Sequence, residues 1–201
     1  MKRTVCKTLA LLLIGTGIAG CHRADQDSDT AGGTRIALVC KTLNSPFFLD
    51  MKRGAEAEAK ARGANLVVQA PERELDVEKQ MQIVENLIQT RVQALCLTPS
   101  GSRELVPVIT KANRAGIPVI IVDTRLDEAT LQAEGARTLT FIGSDNYDGG
   151  RLAGQHIARV FAGSEARVAL LEGIPGHETA DSRLRGFRDA VEGVAHVKIV
   201  A

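Results

Sequence analysis

From Arg35 onward, short uninterrupted apolar runs alternate with longer stretches whose apolar positions recur at helical spacing. The runs are RIALVC (35–40), NLVVQA (65–70), VQALCLT (92–98), PVIIVD (118–123), TFIGS (140–144) and RVALLEG (167–173), and VKIVA starts another at 197. Val, Ile and Leu without polar alternation predict strands covered on both faces, as in a parallel sheet. The intervening stretch 47–62 sets Phe48, Met51, Ala55 and Ala59 on one helix face and stops at Gly63. Residues 75–90 carry Val77, Met81, Val84, Leu87 and Ile88 on one stripe, with Glu78, Lys79, Glu85 and Gln89 opposite. A third helical stretch, 103–115, ends at Gly116-Ile117-Pro118 and passes directly into a strand. Strand and helix alternating about every 25 to 30 residues make a right-handed βαβ series, so the expected fold class is α/β, a doubly wound parallel sheet.

In such sheets ligands sit outside the carboxyl ends of the strands. The informative residues are therefore those just after each run: 41–48, 71–74, 98–102, 123–125, 144–146 and 173–183. The first of these stretches is KTLNSPFF, not a glycine-rich phosphate loop, and neither G-x-G-x-x-G nor G-x-x-x-x-G-K-[ST] follows any of these runs. A nucleotide cofactor is not expected, because no backbone nest is offered to a pyrophosphate. What the loop does offer is the Lys41 cation, polar Asn44 and Ser45, and the aromatic faces of Phe47 and Phe48. The negative face of an aromatic ring suits the weakly positive C–H face of a sugar ring. Phe48 also fits the start of the buried helical stripe, whereas Phe47 lies one step off it. After the fourth run, Asp123 is a carboxylate that can accept two hydroxyl hydrogen bonds or cap a turn, followed by Thr124 and by Arg125 as partner or rim. After the sixth, GIPGHETADSRLRGF places His177 and Thr179 at a helix start and Arg183 about one and a half turns in, where a planar fork can bracket a ring oxygen and a hydroxyl. Asp181 has no assigned role. An enzyme is not expected, since there is no elbow serine, no close pair of carboxylates and no metal-spaced His cluster.

The amino terminus has a different pattern. Lys2, Arg3 and Lys7 precede the apolar run 9–14, small residues follow, and Ile18-Ala19-Gly20-Cys21 comes next. The apolar run is shorter than the roughly 20 residues that a membrane-spanning helix needs, and its flanks are those of an export signal. Residues 1–21 are read as a lipoprotein signal with its lipobox, which resembles that of bacterial lipoproteins, with Cys21 the lipidated position; a plain secretory signal cut near Gly20 is the alternative. Residues 22–34 are polar and non-periodic, as a flexible tether would be. Asp25, Asp27 and Asp29 alternate like part of a calcium loop, but Thr30 stands where that loop needs glycine, so no metal site is assigned. The chain is expected at the cell envelope, in the periplasm, with a lipid anchor.

With 201 residues, 44% of them hydrophobic, the chain is long enough for one large domain or for one complete and one partial unit. A formal net charge of +1 gives no long-range attraction for nucleic acid. Of the four cysteines, Cys6 goes with the signal and Cys21 with lipid, leaving Cys40 and Cys96 inside apolar runs. Both are read as small buried hydrophobes.

Four stretches, IALVCKTLNSPFF, PVIIVDT, FIGSDNYDGGRLAG and LLEGIPGHETADSRLRGF, closely resemble the periplasmic sugar-binding proteins of the ribose and galactose type. The likeness runs from Arg35 to Ala201. It implies the type I fold of two α/β lobes joined by crossovers, with residues 35–145 a first lobe and 146–201 the first crossover and part of a second. It implies capture of a monosaccharide for an ABC permease, or sugar sensing for a chemoreceptor or sensor kinase. It also implies sugar contacts at Phe47, Phe48, Asp123 and Arg183, joined on chemical grounds by Lys41, Ser45, Thr124 and His177. Ribose binders of this type place Arg directly after the Asp, where this chain has Thr124. Family members run longer, and the chain is read as a C-terminally truncated fragment whose sugar binding is expected to be weak or absent. Sub-micromolar affinity in titration calorimetry would refute that expectation.

Overall fold

The structure, a computed structural model, describes residues 33–201. The export signal, Cys21 and the tether as far as residue 32 lie outside the described residues. In chain order the elements are β1 (Arg35–Val39), α1 (Pro46–Arg62), β2 (Asn65–Gln69), α2 (Val77–Gln89), β3 (Ala94–Leu97), α3 (Val106–Arg114), β4 (Val119–Val122), α4 (Glu128–Glu134), β5 (Thr140–Ile142), α5 (Asn146–Val160), β6 (Ala166–Val168), α6 (Glu178–Val191) and β7 (Val197–Ile199). The first five strands form one parallel sheet in the order β2-β1-β3-β4-β5, and β6 pairs in parallel with β7 in a second sheet. The chain runs outward from β1 to β2 and then returns past β1 to β3. The β1/β3 boundary is therefore the switch point where a ligand crevice is expected.

Alternation along β1 sends Ala37 and Val39 to one face and Leu38 and Cys40 to the other. The first pair joins a core with Val84 and Leu87 of α2 and Val108 and Ile109 of α3. The second packs with Phe48, Met51 and Ala55 of α1. Both faces of β1 are thus covered, which is why its residues are apolar without alternation. Helix boundaries follow local chemistry. Pro46 sits in the first turn of α1, Gly63 closes that helix at φ 65°, and Asp76 caps α2 by accepting the Lys79 N–H at 3.1 Å. Asp127 caps the short α4, which no apolar stripe announced, by accepting the Thr130 N–H at 2.9 Å.

Every strand ends before its apolar run does, and β6 does so by the most. β5 ends at Ile142 as an edge strand, and β6 ends at Val168, leaving the rest of RVALLEG outside the strand. After Val168 the pairing thins to single bonds, such as Leu170 N–H to Ala201 O at 2.7 Å, and Leu171 is fully exposed. The second sheet has only two strands among the described residues, so nothing there holds the run in a ladder. Against this sheet, α5 and α6 pack backbone to backbone. A Cβ at Gly150 would strike the Arg183 carbonyl oxygen, and one at Gly186 would strike that of Tyr147. Among the described residues no helix is long and apolar enough to cross a membrane.

Candidate ligand-binding site

The loops after β1, β2, β3 and β4 gather at one end of the five-stranded sheet, and the loop before α6 approaches them. Lys41, immediately beyond β1, is 5% exposed. Its Nζ lies 3.7 Å from Glu74 Oε1 and 3.9 Å from Asp123 Oδ2. Both distances exceed hydrogen-bond range, so among the described residues the buried ammonium is held by charge, with three N–H donors still to be used. The β1 loop is pinned to the β2 loop by the Glu72 carbonyl, which accepts from Thr42 Oγ1 at 3.1 Å and from Asn44 Nδ2 at 2.8 Å.

Asp123 has φ 65°, the left-handed region that an Asp tolerates better than a bulkier residue. Its N–H still donates to Ile142 O at 2.8 Å, so the turn leaves β4 only after engaging β5. That turn aims the carboxylate at Lys41, and Oδ2 also accepts from Thr124 Oγ1 at 3.0 Å. Thr124 is fully buried, its hydroxyl 3.5 Å from that of Thr179. Arg125 does not pair with Asp123; its guanidinium lies 3.7 Å over the Phe141 ring, a cation–π contact at the rim.

Ser45 occupies the N-cap of α1 without a side-chain cap bond, which leaves its half-buried hydroxyl available. Phe47 is 55% exposed and Phe48 4%, with the rings edge to face at 5.2 Å. Phe48 packs among Leu38, Cys40 and Met51 as part of the core, and the open aromatic face belongs to Phe47 alone. His177 stands at the N-cap of α6, also without a side-chain cap bond. Burial lowers its pKa first, the Lys41 charge lowers it further, and Glu104, Glu74 and Asp181 oppose both. The groups acting on its ring are thus the charges of the strand ends.

Arg183 is not brought to this group. Its Nε donates to Asn146 Oδ1 at 2.9 Å, and it borders a separate cavity of about 490 Å³ with Gly150, Leu171 and Gly173. Facing the strand ends instead are Glu178 and Asp181, which line a cavity of about 310 Å³ with Ser102 and Arg125. Arg183 lies five residues past Glu178, about 500° of helical turn, and so about 140° round the cylinder. The structure does not bring Arg183 together with the aromatic pair and the acid: Lys41, Asp123, Thr124 and His177 come together beside the Phe47 loop, while Phe48 and Arg183 point elsewhere.

Sequence reasoning placed Glu74 and Ser102 in the strand-end stretches 71–74 and 98–102 without a role, and did not reach Gln80. The Ser102 hydroxyl accepts the Glu178 N–H at 3.4 Å, standing in for the cap that His177 does not make. Gln80 is fully buried and bonded to the loops after β1 and β3. A polar residue on the buried stripe of α2 was the signal for it. Among the described residues no group of three or more His, Cys, Asp or Glu is disposed to hold a metal ion. The ammonium and carboxylates instead suit hydroxyl groups, each of which can accept from Lys41 while donating to Asp123 or Glu74.

A family model described as a periplasmic binding protein domain matches residues 36–201. The chain is 41% identical to a D-ribose/D-allose-binding protein of Pseudomonas aeruginosa, over all of this chain and 63% of that protein. It is 37% identical to a ribose import binding protein of Bacillus subtilis, over 78% of this chain and 48% of the relative. A crystal structure of an ABC transporter periplasmic solute-binding protein from Actinobacillus succinogenes with bound D-allose superposes with a TM-score of 0.77 at 38% identity, covering 83% of this chain and 58% of that one. An Agrobacterium vitis solute-binding protein with bound D-fucose gives a TM-score of 0.75 at 30% identity, covering 83% and 56%. The chain thus spans about half to two thirds of the length of the relatives it matches.

Proposed function

Because the chain belongs to the periplasmic binding protein family, in its type I sugar-binding branch, we propose that its strand-end cleft holds a monosaccharide, for delivery to an ABC permease. The observation that carries this reading is the buried Lys41 ammonium, set between Glu74 and Asp123 without a hydrogen bond to either. A sugar hydroxyl entering that gap accepts from Lys41 and donates to a carboxylate, and each charge-assisted bond contributes about 1.5–3 kcal/mol. Phe47 supplies the apolar face for the ring. Capture is reversible binding: a ligand that contacts both sides of the cleft favours the closed arrangement by its differential affinity for it. The ligands for which these relatives are named, ribose and allose, support a pentose or hexose as the occupant. The same reading includes export to the periplasm and a lipid anchor at Cys21, which metabolic labelling with palmitate and its loss in Cys21→Ser would test.

A thermal-shift series with D-allose and D-ribose tests the binding reading, because a ligand that binds only the folded chain raises its melting temperature. A dose-dependent rise at millimolar sugar, absent in Lys41→Met, is expected. No rise with either sugar, or an equal rise in Lys41→Met, overturns the proposal.

A further inference from the structure

We propose that Gln80 is a positioning residue for this cleft: its side-chain amide takes the place of the next rung of the β1–β3 ladder and so ends the ladder before Lys41. The functional half of this inference rests on the sugar-binding reading above; the structural half does not.

In a parallel pair, a residue that faces its neighbour donates to the residue before its partner and accepts from the residue after it. Val39 is opposite Leu97, and its carbonyl accepts the Thr98 N–H at 2.9 Å. By the same spacing, the next residue of this strand to bond across is Lys41. It would donate its N–H to Thr98 O and accept the Ser100 N–H. Gln80 takes both groups. Its Nε2 donates to Thr98 O at 2.9 Å, and its Oε1 accepts from Ser100 N–H at 2.8 Å. A primary amide carries the same donor and acceptor as a peptide group, so the substitution is chemically like for like. The second hydrogen of Nε2 reaches Cys40 O at 3.1 Å, the carbonyl of the same peptide that holds the Lys41 N–H.

Packing alone gives no reason for a glutamine here. Gln80 is 0% exposed, on a stripe of α2 with Val77, Val84 and Leu87, where an apolar side chain would avoid the cost of burying an amide. The cost is offset because every strong hydrogen-bonding group of the amide is used, and used at the β1/β3 switch point. Strand β1 is thereby released from its neighbour one residue early. Lys41 leaves the sheet, and its ammonium reaches the gap between Glu74 and Asp123.

Two variants test this. Gln80→Leu keeps the volume and removes the surrogate rung, so the freed Thr98 and Ser100 groups return to Lys41. NMR is expected to show a through-hydrogen-bond coupling between Lys41 N and Thr98 C′ that the wild type lacks, with D-allose or D-ribose affinity down about tenfold or more. Protonated, Gln80→Glu keeps one donor and the acceptor of the amide, enough for the Thr98 and Ser100 rung but not for Cys40 O as well; once ionised it opposes the Cys40 and Thr98 carbonyls. Its affinity is therefore expected to approach wild type at low pH and to fall relative to wild type as pH rises. The inference is overturned if Gln80→Leu melts earlier yet shows no new coupling and binds within twofold of wild type. It is also overturned if Gln80→Glu tracks wild type up to about pH 10, beyond the roughly 8–9 to which full burial raises a Glu. Should Gln80→Leu fail to fold, the pH profile of Gln80→Glu decides. If the wild type binds neither sugar, the sugar reading falls by itself, and the coupling alone keeps or removes the ladder break.

Discussion

Lys41 and Asp123 confront each other from the ends of β1 and β4, with 3.9 Å between Nζ and Oδ2 and less than a tenth of the lysine exposed. Neither strand brings the pair together by pairing directly with the other, since β3 runs between them. The meeting is made by the exit of Lys41 from the sheet and by the left-handed turn at Asp123. The two groups together hold opposite charges where a hydroxyl can use both.

That turn separates folding from binding at position 123. Asn tolerates φ 65° nearly as well as Asp, so Asp123→Asn should unfold within about 1 kcal/mol of wild type while losing the sugar-induced rise in melting temperature. Asp123→Val sets a β-branched residue in the same conformation and should lose about 1–3 kcal/mol of stability as well. Urea denaturation alongside the thermal-shift series measures both halves.

The two adjacent phenylalanines should behave as different residues. Phe48→Ala opens a cavity between β1 and α1 and is expected to cost about 3–5 kcal/mol. Phe47→Ala removes an exposed ring and at most its edge-to-face contact, about 0.5–1.5 kcal/mol, but should weaken sugar binding. Chemical denaturation and ligand titration of the two variants distinguish them.

His177 makes stability depend on pH in a predictable direction. Its folded pKa lies below the ordinary value of 6.5, mainly through burial and then through Lys41, with Glu104, Glu74 and Asp181 opposing. Between the folded and unfolded values the unfolded chain binds more protons, so stability falls as pH drops below about 6.5 and levels off below the folded value. His177→Gln should remove this component. Melting temperatures from pH 7.5 to 5 for the two proteins measure it; parallel curves would contradict the assignment.

The two described thiols should be inert in the native state. Burial pushes the Cys40 pKa up to about 11, against a small opposing effect of Lys52, and raises that of Cys96. Cys96 is opposite Leu38 in the ladder and is offset from Cys40 by two residues, a poor geometry for a disulfide. Iodoacetamide applied to native protein should leave both peptides unlabelled in a mass map and label both after denaturation.

Much of the architecture was readable in one dimension. The βαβ order, the stop at Gly63 and the strand-end positions of Lys41 and Asp123 depend on local periodicity and on where a strand gives out, and both are written into neighbouring residues. Short pieces were not readable in that way. α4 has too few residues for a stripe, and β5 and β6 stop before their apolar runs do because pairing, not composition, ends a strand.

What only the tertiary structure decided is which way side chains point once helices are packed. Phe48 faces β1 because α1 is laid against Leu38 and Cys40. Arg183 turns toward Asn146 because Gly150 and Gly186 let α5 and α6 approach backbone to backbone in one rotational setting. A helix's residue order determines which of its side chains share a face, but only contact with a neighbour determines what that face meets. The order along the chain therefore specified the strands, their sequence and the chemistry at their ends, while docking chose which of those groups meet.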